Sequence, residues 1–147
     1  MIPQTVRKAR ILLVEDNDAD AEMLQFLLTQ NKFNVDLKVI KQGVEALDFI
    51  FMQNGYEDSL PPDLILLDIK LPDISGLEIL RKIKESEQHK MTPVVILTSS
   101  DQEEDLHNSY SFYANCFIKK PLDIDSLKKT IQQLKEFWFS VVALPPK

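Results

Sequence analysis

A single cysteine, Cys116, excludes an intramolecular disulfide and any zinc site built from several cysteines. Its flanks read as a small buried hydrophobe in a reducing compartment, and the cytoplasm is the simplest such place. No apolar run approaches the ~18 residues that a membrane span needs, and residues 1–10 carry charge without a hydrophobic signal core. Excess positive charge is missing too. The formal net charge is −6, which argues against direct nucleic-acid binding, because that requires clustered Lys and Arg on phosphates. Of the two histidines, neither His89 nor His107 has a second ligand at metal spacing, and both are expected at the surface.

What is present is size and pattern. At 147 residues, 44% hydrophobic and 27% charged, the chain has the length of one domain with one core. The run Leu64-Ile65-Leu66-Leu67 does not alternate, so it predicts a central parallel strand covered on both faces, with Pro61 and Pro62 ending the connection before it. That strand delivers Asp68 to its C-terminal end. Ile11-Leu12-Leu13-Val14 is a second such run, ending on Glu15-Asp16 before the cap-forming Asn17-Asp18. A helix follows with Ala21, Leu24, Leu27 and Leu28 on one stripe, expected to stop near Asn31. Val35, Leu37 and Val39 alternate with polar residues as in a half-covered edge strand, and Gly43 precedes a second helix of Ala46, Leu47, Ile50 and Phe51. After the Asp68 strand, Gly76 allows a tight approach and a third helix buries Leu77, Leu80 and Ile83.

Val94 to Leu97 predicts the fourth strand, ending on Thr98-Ser99-Ser100-Asp101, and Leu106, Tyr110 and Tyr113 carry the spacing of a fourth helix. Cys116-Phe117-Ile118 forms a short fifth strand before Lys119-Lys120-Pro121, and a last helix starts at Asp125 or Ser126 and runs to about Val142. Strands alternating with amphipathic helices require right-handed crossovers. The fold class is therefore α/β: a three-layer α/β/α domain on a five-stranded parallel sheet.

In such a sheet all strand C-termini face one edge, so Glu15, Asp16, Asp68, Thr98 and Lys120 converge there. Clustered carboxylates repel one another unless a divalent ion holds them, and an all-oxygen set with room for water suits Mg²⁺ better than zinc. A metal there would neutralise an incoming phosphoryl group, with the Thr98 hydroxyl and the Lys120 ammonium available to its other oxygens. Asp68 would then be the nucleophile that forms an acyl phosphate.

These five residues, in this order, resemble the pattern of receiver domains of two-component response regulators, which have a flavodoxin-like fold. The resemblance covers about residues 10 to 135 and implies a single receiver domain over residues 8–147 with an apolar helical extension at its C-terminus. It implies phosphoryl transfer from a sensor histidine kinase to Asp68, with Mg²⁺ bound by Asp16, Asp68 and the backbone carbonyl of Lys70, and by Glu15 through water. The expected activity is that of a phosphoacceptor with slow self-catalysed dephosphorylation, not of an enzyme. Thr98 and Phe117 would form the switch, and the following proline together with the family's spacing selects Lys120 over Lys119. Two positions depart from the common pattern: Glu15-Asp16 stands where Asp-Asp is common, and Phe117 where Tyr is frequent, which removes a hydroxyl from any output contact. Asn54-Gly55-Tyr56-Glu57-Asp58, Asn115-Cys116 and the ending from Phe137-Trp138 to Leu144-Pro145 are similar to single-domain regulators that serve cyanobacterial phytochromes. A phytochrome is thus the implied kinase partner.

Rival readings fit less well. A phosphatase with an aspartyl nucleophile resembles a pattern with a second Asp two residues on, where this chain has Lys70. A flavin binder needs a Gly/Ser/Thr-rich cradle after the first strand, whereas residues 15–20 are acidic and glycine-free. A receiver-like module that binds partners without phosphorylation stays open as the alternative function. At the C-terminus, Leu127, Ile131, Leu134, Trp138 and Val141 form one core-facing stripe, while Phe137, Phe139 and Val142 fall largely outside it. With no output domain expected after this helix, signalling would pass through docking or dimerisation. These three bulky side chains suggest a homodimer through the last helix, against the alternative of a tail folded back on its own domain.

Overall fold

The computed structural model of the chain describes residues 8–30, 35–99, 107, 110–111, 114, 116–120 and 123–136. Leu106 and Tyr113 of the expected fourth helix, Ser100, Asp101, Asn115, Pro121 and all of 137–147 lie outside the described residues, and with them Trp138, Val141 and the expected interface residues Phe137, Phe139 and Val142. Five parallel strands form one sheet in the order β2-β1-β3-β4-β5. These are β1 (Ala9–Val14), β2 (Val35–Ile40), β3 (Leu64–Leu67), β4 (Val94–Thr98) and β5 (Cys116–Lys119). The described helices are α1 (Asp18–Thr29), α2 (Gly43–Ile50), α3 (Gly76–Glu85) and α4 (Ile124–Glu136), and His107, Tyr110 and Ser111 between β4 and β5 are helical as well.

Alternating side chains divide each central strand between two cores. Ile11 and Leu13 of β1, Leu64 and Leu66 of β3, and Val95 and Leu97 of β4 meet Leu24, Leu27 and Leu28 of α1 and Leu127, Ile131 and Leu134 of α4. Leu12 and Val14, Ile65 and Leu67, and Val94 and Ile96 meet Ala46 and Ile50 of α2 and Ile79, Leu80 and Ile83 of α3. Because β3 is apolar on both sides, all four of its residues are buried, as the unbroken run predicted. The edge strand β2 keeps the polar alternation, with Asp36 and Lys38 exposed. At the opposite edge Cys116 is half-buried rather than fully buried, since β5 has a neighbour on one side alone.

Among the four described helices, starts follow local capping with one exception. Asn17 accepts from the Asp20 amide, Ser75 from the Leu77 amide, and Asp123 from the Ser126 amide, which starts α4 one residue before the sequence expectation. The residue before α2, Gln42, makes no side-chain cap bond. His89 departs from the expected surface position: it is 6% exposed and its ring stands edge-on to Phe51 with centroids 4.8 Å apart. The turn 86–92 folds back over the end of α3, and the apolar faces of the imidazole pack there as an aromatic would. His107 is exposed, as expected.

Gly76 begins α3 close against Asp68, the residue that follows β3. Its amide donates to the Ile69 carbonyl at 2.8 Å, and a Cβ at this position would lie 2.0 Å from the Asp68 carbonyl oxygen. Gly55, by contrast, has φ +103° and open space around it. Gly76→Ala is expected to cost about 3 kcal/mol through overpacking against backbone, and Gly55→Ala about 1–2 kcal/mol through its left-handed backbone. Urea unfolding midpoints of the two variants check this, and a smaller loss at Gly76 would contradict the close approach.

Candidate functional site

Strand order reverses between β1 and β3, and crevices at such switch points are where open α/β sheets bind ligands. Glu15 and Asp16 follow β1 and Asp68 follows β3. The pairing Val14 to Leu67 brings the two strand ends level, and the Asp68 amide donates to the Val14 carbonyl at 3.1 Å. One carboxylate oxygen from each of Glu15, Asp16 and Asp68 lies within 4.8 Å of the others. Glu15 is 1% and Asp68 6% exposed, while Asp16 is open to solvent. Two buried carboxylates at this separation require a cation.

Lys120 supplies one. Its amide donates to the Thr98 carbonyl at 2.7 Å, which fixes the backbone beside the end of β4, and its side chain reaches across to the other strand ends. The ammonium donates to Glu15 Oε1 at 2.7 Å and to Asp20 Oδ2 at 2.8 Å, and lies 3.6 Å from Asp68 Oδ2. Burial pulls the Lys120 ammonium down, but the hydrogen bonds to Asp20 and Glu15 raise it overall, so it stays charged. Burial pushes the Glu15 carboxyl up to about 7, aided by the charge on Asp68 and opposed by Lys120. Lys119 is exposed, because alternation along β5 turns it away from the strand ends that Lys120 covers.

The remaining contacts concern Asp68 itself. The Thr98 hydroxyl, fully buried, donates to Asp68 Oδ1 at 2.5 Å, and the Lys70 amide donates to the same oxygen at 3.3 Å. The side chain of Lys70 is exposed. Phe117, paired with Ile96, is half-buried against the α2/α3 core. Glu15, Asp16, Asp68, Thr98 and Lys120 thus stand together, and Phe117 lies on the neighbouring edge strand. Sequence reasoning overlooked Asp20. It lies in the first turn of α1, within an acidic run whose spacing does not single it out.

The donor set fits a hard divalent ion: three carboxylates, one solvent-facing, with no His or Cys among them. Residues 11–132 match the response regulator receiver domain, and the chain belongs to that family of signalling proteins. Members of the family signal through phosphorylation, pair with histidine kinases and bind a divalent metal at an acidic pocket. The chain is 39% identical over 135 residues to the response regulator Rcp1 of Synechocystis sp., with 92% of each chain covered. It is 39% identical over 128 residues to the probable methanogenesis regulatory protein FilR2 of Methanothrix harundinacea, covering 87% of this chain and 82% of that one. Among solved structures, the phosphorylated cyanobacterial phytochrome response regulator RcpA is similar at a TM-score of 0.92 and 35% identity, covering 95% of this chain and all of that one (100%). The Mn²⁺-bound form of Rcp1 is similar at a TM-score of 0.90 and 38% identity, covering 94% and 99%. No helix among the described residues is long and apolar enough to cross a membrane.

The buried cation yields a stability prediction. Lys120→Ala leaves Glu15 and Asp68 facing each other and is expected to cost ~3 kcal/mol, whereas Lys119→Ala changes stability by no more than ~0.5 kcal/mol. Added divalent ion should return more stability to Lys120→Ala than to the wild type. Thermal melts with and without the ion check both statements, and equal losses in the two variants would contradict the burial of Lys120.

Proposed function

We propose that this receiver domain takes a phosphoryl group from a sensor histidine kinase onto Asp68 in a Mg²⁺-dependent reaction, and that the kinase is a phytochrome. The observation that carries the proposal is Asp68 itself, buried at the switch point with Thr98 on one oxygen and Lys120 beside the other. Glu15, Asp16, Asp68 and the Lys70 carbonyl are the groups that would hold the ion, whose chemistry is to neutralise charge on the transferring phosphoryl oxygens. An Asp68 carboxylate oxygen attacks phosphorus, an acyl-phosphate bond forms, and the phosphorus–nitrogen bond to the kinase histidine breaks. Lys120 then has a nearer anion to bind. It is held 3.6 Å from Asp68 and within hydrogen-bond distance of Glu15 and Asp20, so a short side-chain movement serves. The phytochrome pairing is supported by the similarity to RcpA and Rcp1 over nearly the whole of each chain.

The switch follows from the same contacts. Once phosphorylated, the oxygen that accepts from Thr98 has lost charge, and the hydroxyl turns to a phosphoryl oxygen instead. Movement of Thr98 leaves space for Phe117 to turn inward, which alters the β5 edge and any surface beside it. Within this reading the chain acts as a phosphoacceptor with slow self-dephosphorylation, and Phe137, Phe139 and Val142 contribute to a homodimer whose population the switch biases. A tenfold shift in such an equilibrium needs only about 1.4 kcal/mol of differential stabilisation. The sequence pattern of the last helix supports the dimer.

Three experiments test these statements. With Mg²⁺ and a small phosphodonor, intact mass should rise by one phosphoryl group in the wild type and not in Asp68→Asn. A gain retained in that variant, or one indifferent to the removal of divalent ion, would overturn the proposal in favour of another acceptor. Thr98→Ala should accept the phosphoryl group yet lose the phosphorylation-dependent change in sedimentation. Monomeric wild type at high concentration, with and without phosphodonor, would remove the dimer from the reading.

A further inference from the structure

The loop that carries Asp68 and Lys70 is fastened at a point the sequence motif does not include. Gln42 offers α2 no cap, so the first amides of that helix need acceptors from elsewhere. Asp73 provides them from across the fold: Oδ1 accepts from the Gly43 amide at 2.7 Å and Oδ2 from the Val44 amide at 2.8 Å. Oδ1 also accepts from the Ile74 amide at 2.9 Å, so one carboxylate ties its own turn to the start of α2. The fit is close, since a Cβ on Gly43 would lie 2.5 Å from Ile74 Cγ1 and 3.1 Å from Asp73 Oδ1. Burial raises the Asp73 carboxyl, but the Val44, Gly43 and Ile74 amides hold it below the usual carboxylate range, so it is ionised at neutral pH. A negative charge at a helix N-terminus is favourable in itself.

We infer that Asp73 is a positioning residue for the divalent site, which by capping α2 holds the loop 69–75 and with it the backbone carbonyl of Lys70. The other end of that loop is already fixed by Gly76, pressed against the Asp68 carbonyl and bonded to Ile69. Lys70 lies between Ile69, which Gly76 holds, and Asp73, one residue after the first and three before the second. Its exposed side chain makes no fixed point of its own among the contacts described, and its amide contact to Asp68 is long at 3.3 Å. Removing the Asp73 anchor therefore releases Lys70 on one side while leaving Asp68 seated at the end of β3. Groups that orient a metal ligand without touching the metal change affinity by about tenfold or more when lost.

The inference rests on the proposed role of the Lys70 carbonyl as a ligand, and its test separates the two. Mg²⁺ and Mn²⁺ affinity is measured by calorimetry on wild type, Asp73→Asn and Asp73→Ala, well below each melting temperature. Asp73→Asn keeps the side-chain shape and one acceptor, but its amide nitrogen must face an N–H, so the expected order of affinity is wild type, then Asn, then Ala, with about tenfold lost in Ala. Amide exchange should quicken at Gly43, Val44 and 69–75 and stay unchanged in β1 and β3. At saturating divalent ion, the rate of phosphoryl uptake should return to within about twofold of wild type, because the lesion lies in holding the ion and not in Asp68. A wild type that binds no divalent ion would overturn the proposed function and this inference together. Wild-type affinity in the variants, or a lowered rate that saturating ion does not restore, would overturn the inference alone. Should Asp73→Ala fold poorly, the Asn variant decides by the same two readouts.

Discussion

One ammonium group holds the strand ends together. Lys120 reaches two carboxylates within hydrogen-bond distance and a third at 3.6 Å, and two of these three are buried. Left alone, the pair Glu15 and Asp68 would force either protonation or separation, and the Glu15 carboxyl is pushed up to about 7, first by burial and then by the charge on Asp68. The arrangement is costly for stability, because apolar groups of the same volume would pack there more cheaply. Its value is that the surplus of negative oxygen over positive nitrogen is never fully relieved. A site held in that state has affinity ready for a further cation, and through it for a phosphoryl group.

The two faces of the sheet divide the work of keeping this state in place. On one face, α1 and α4 pack on the odd-numbered residues of β1, and α1 contributes Asp20 to the lysine. On the other, α2 and α3 pack on the even-numbered residues, and between them they fasten the loop after Asp68: α3 through Gly76, α2 through its amides on Asp73. The charge cluster is thus tuned from one layer and the loop geometry from the other. Thr98 ends β4, and Phe117 lies on the neighbouring edge strand β5.

Much of this was legible in the residues before any coordinates. Apolar runs without alternation marked β1 and β3 as central, the alternation in Val35-Asp36-Leu37-Lys38-Val39 marked β2 as an edge, and the three- and four-residue spacings placed the buried faces of the helices. Such signals are local, and the parallel sheet turns local strand ends into a common edge. The parts that were not legible are non-local. Gln42 is a poor cap, but nothing near it in sequence says that Asp73, thirty-one residues on, completes the helix. Asp20 sat in an acidic run from which spacing alone could not choose. His89 stood among polar neighbours, and the aromatic it packs on, Phe51, belongs to another element.

The span of the Glu15–Lys120 pair also bears on how the chain assembles. Its partners are 105 positions apart, so the contact closes one of the longest loops the molecule contains. A folding chain that has joined β1 to β3 already holds Glu15 beside Asp68, yet their cation arrives only with β5, the last strand in sequence and an edge strand in space. Placing β5 thus buries its half-covered side chains and sets Lys120 among the carboxylates in the same step, so that the fold and the site are completed by one strand.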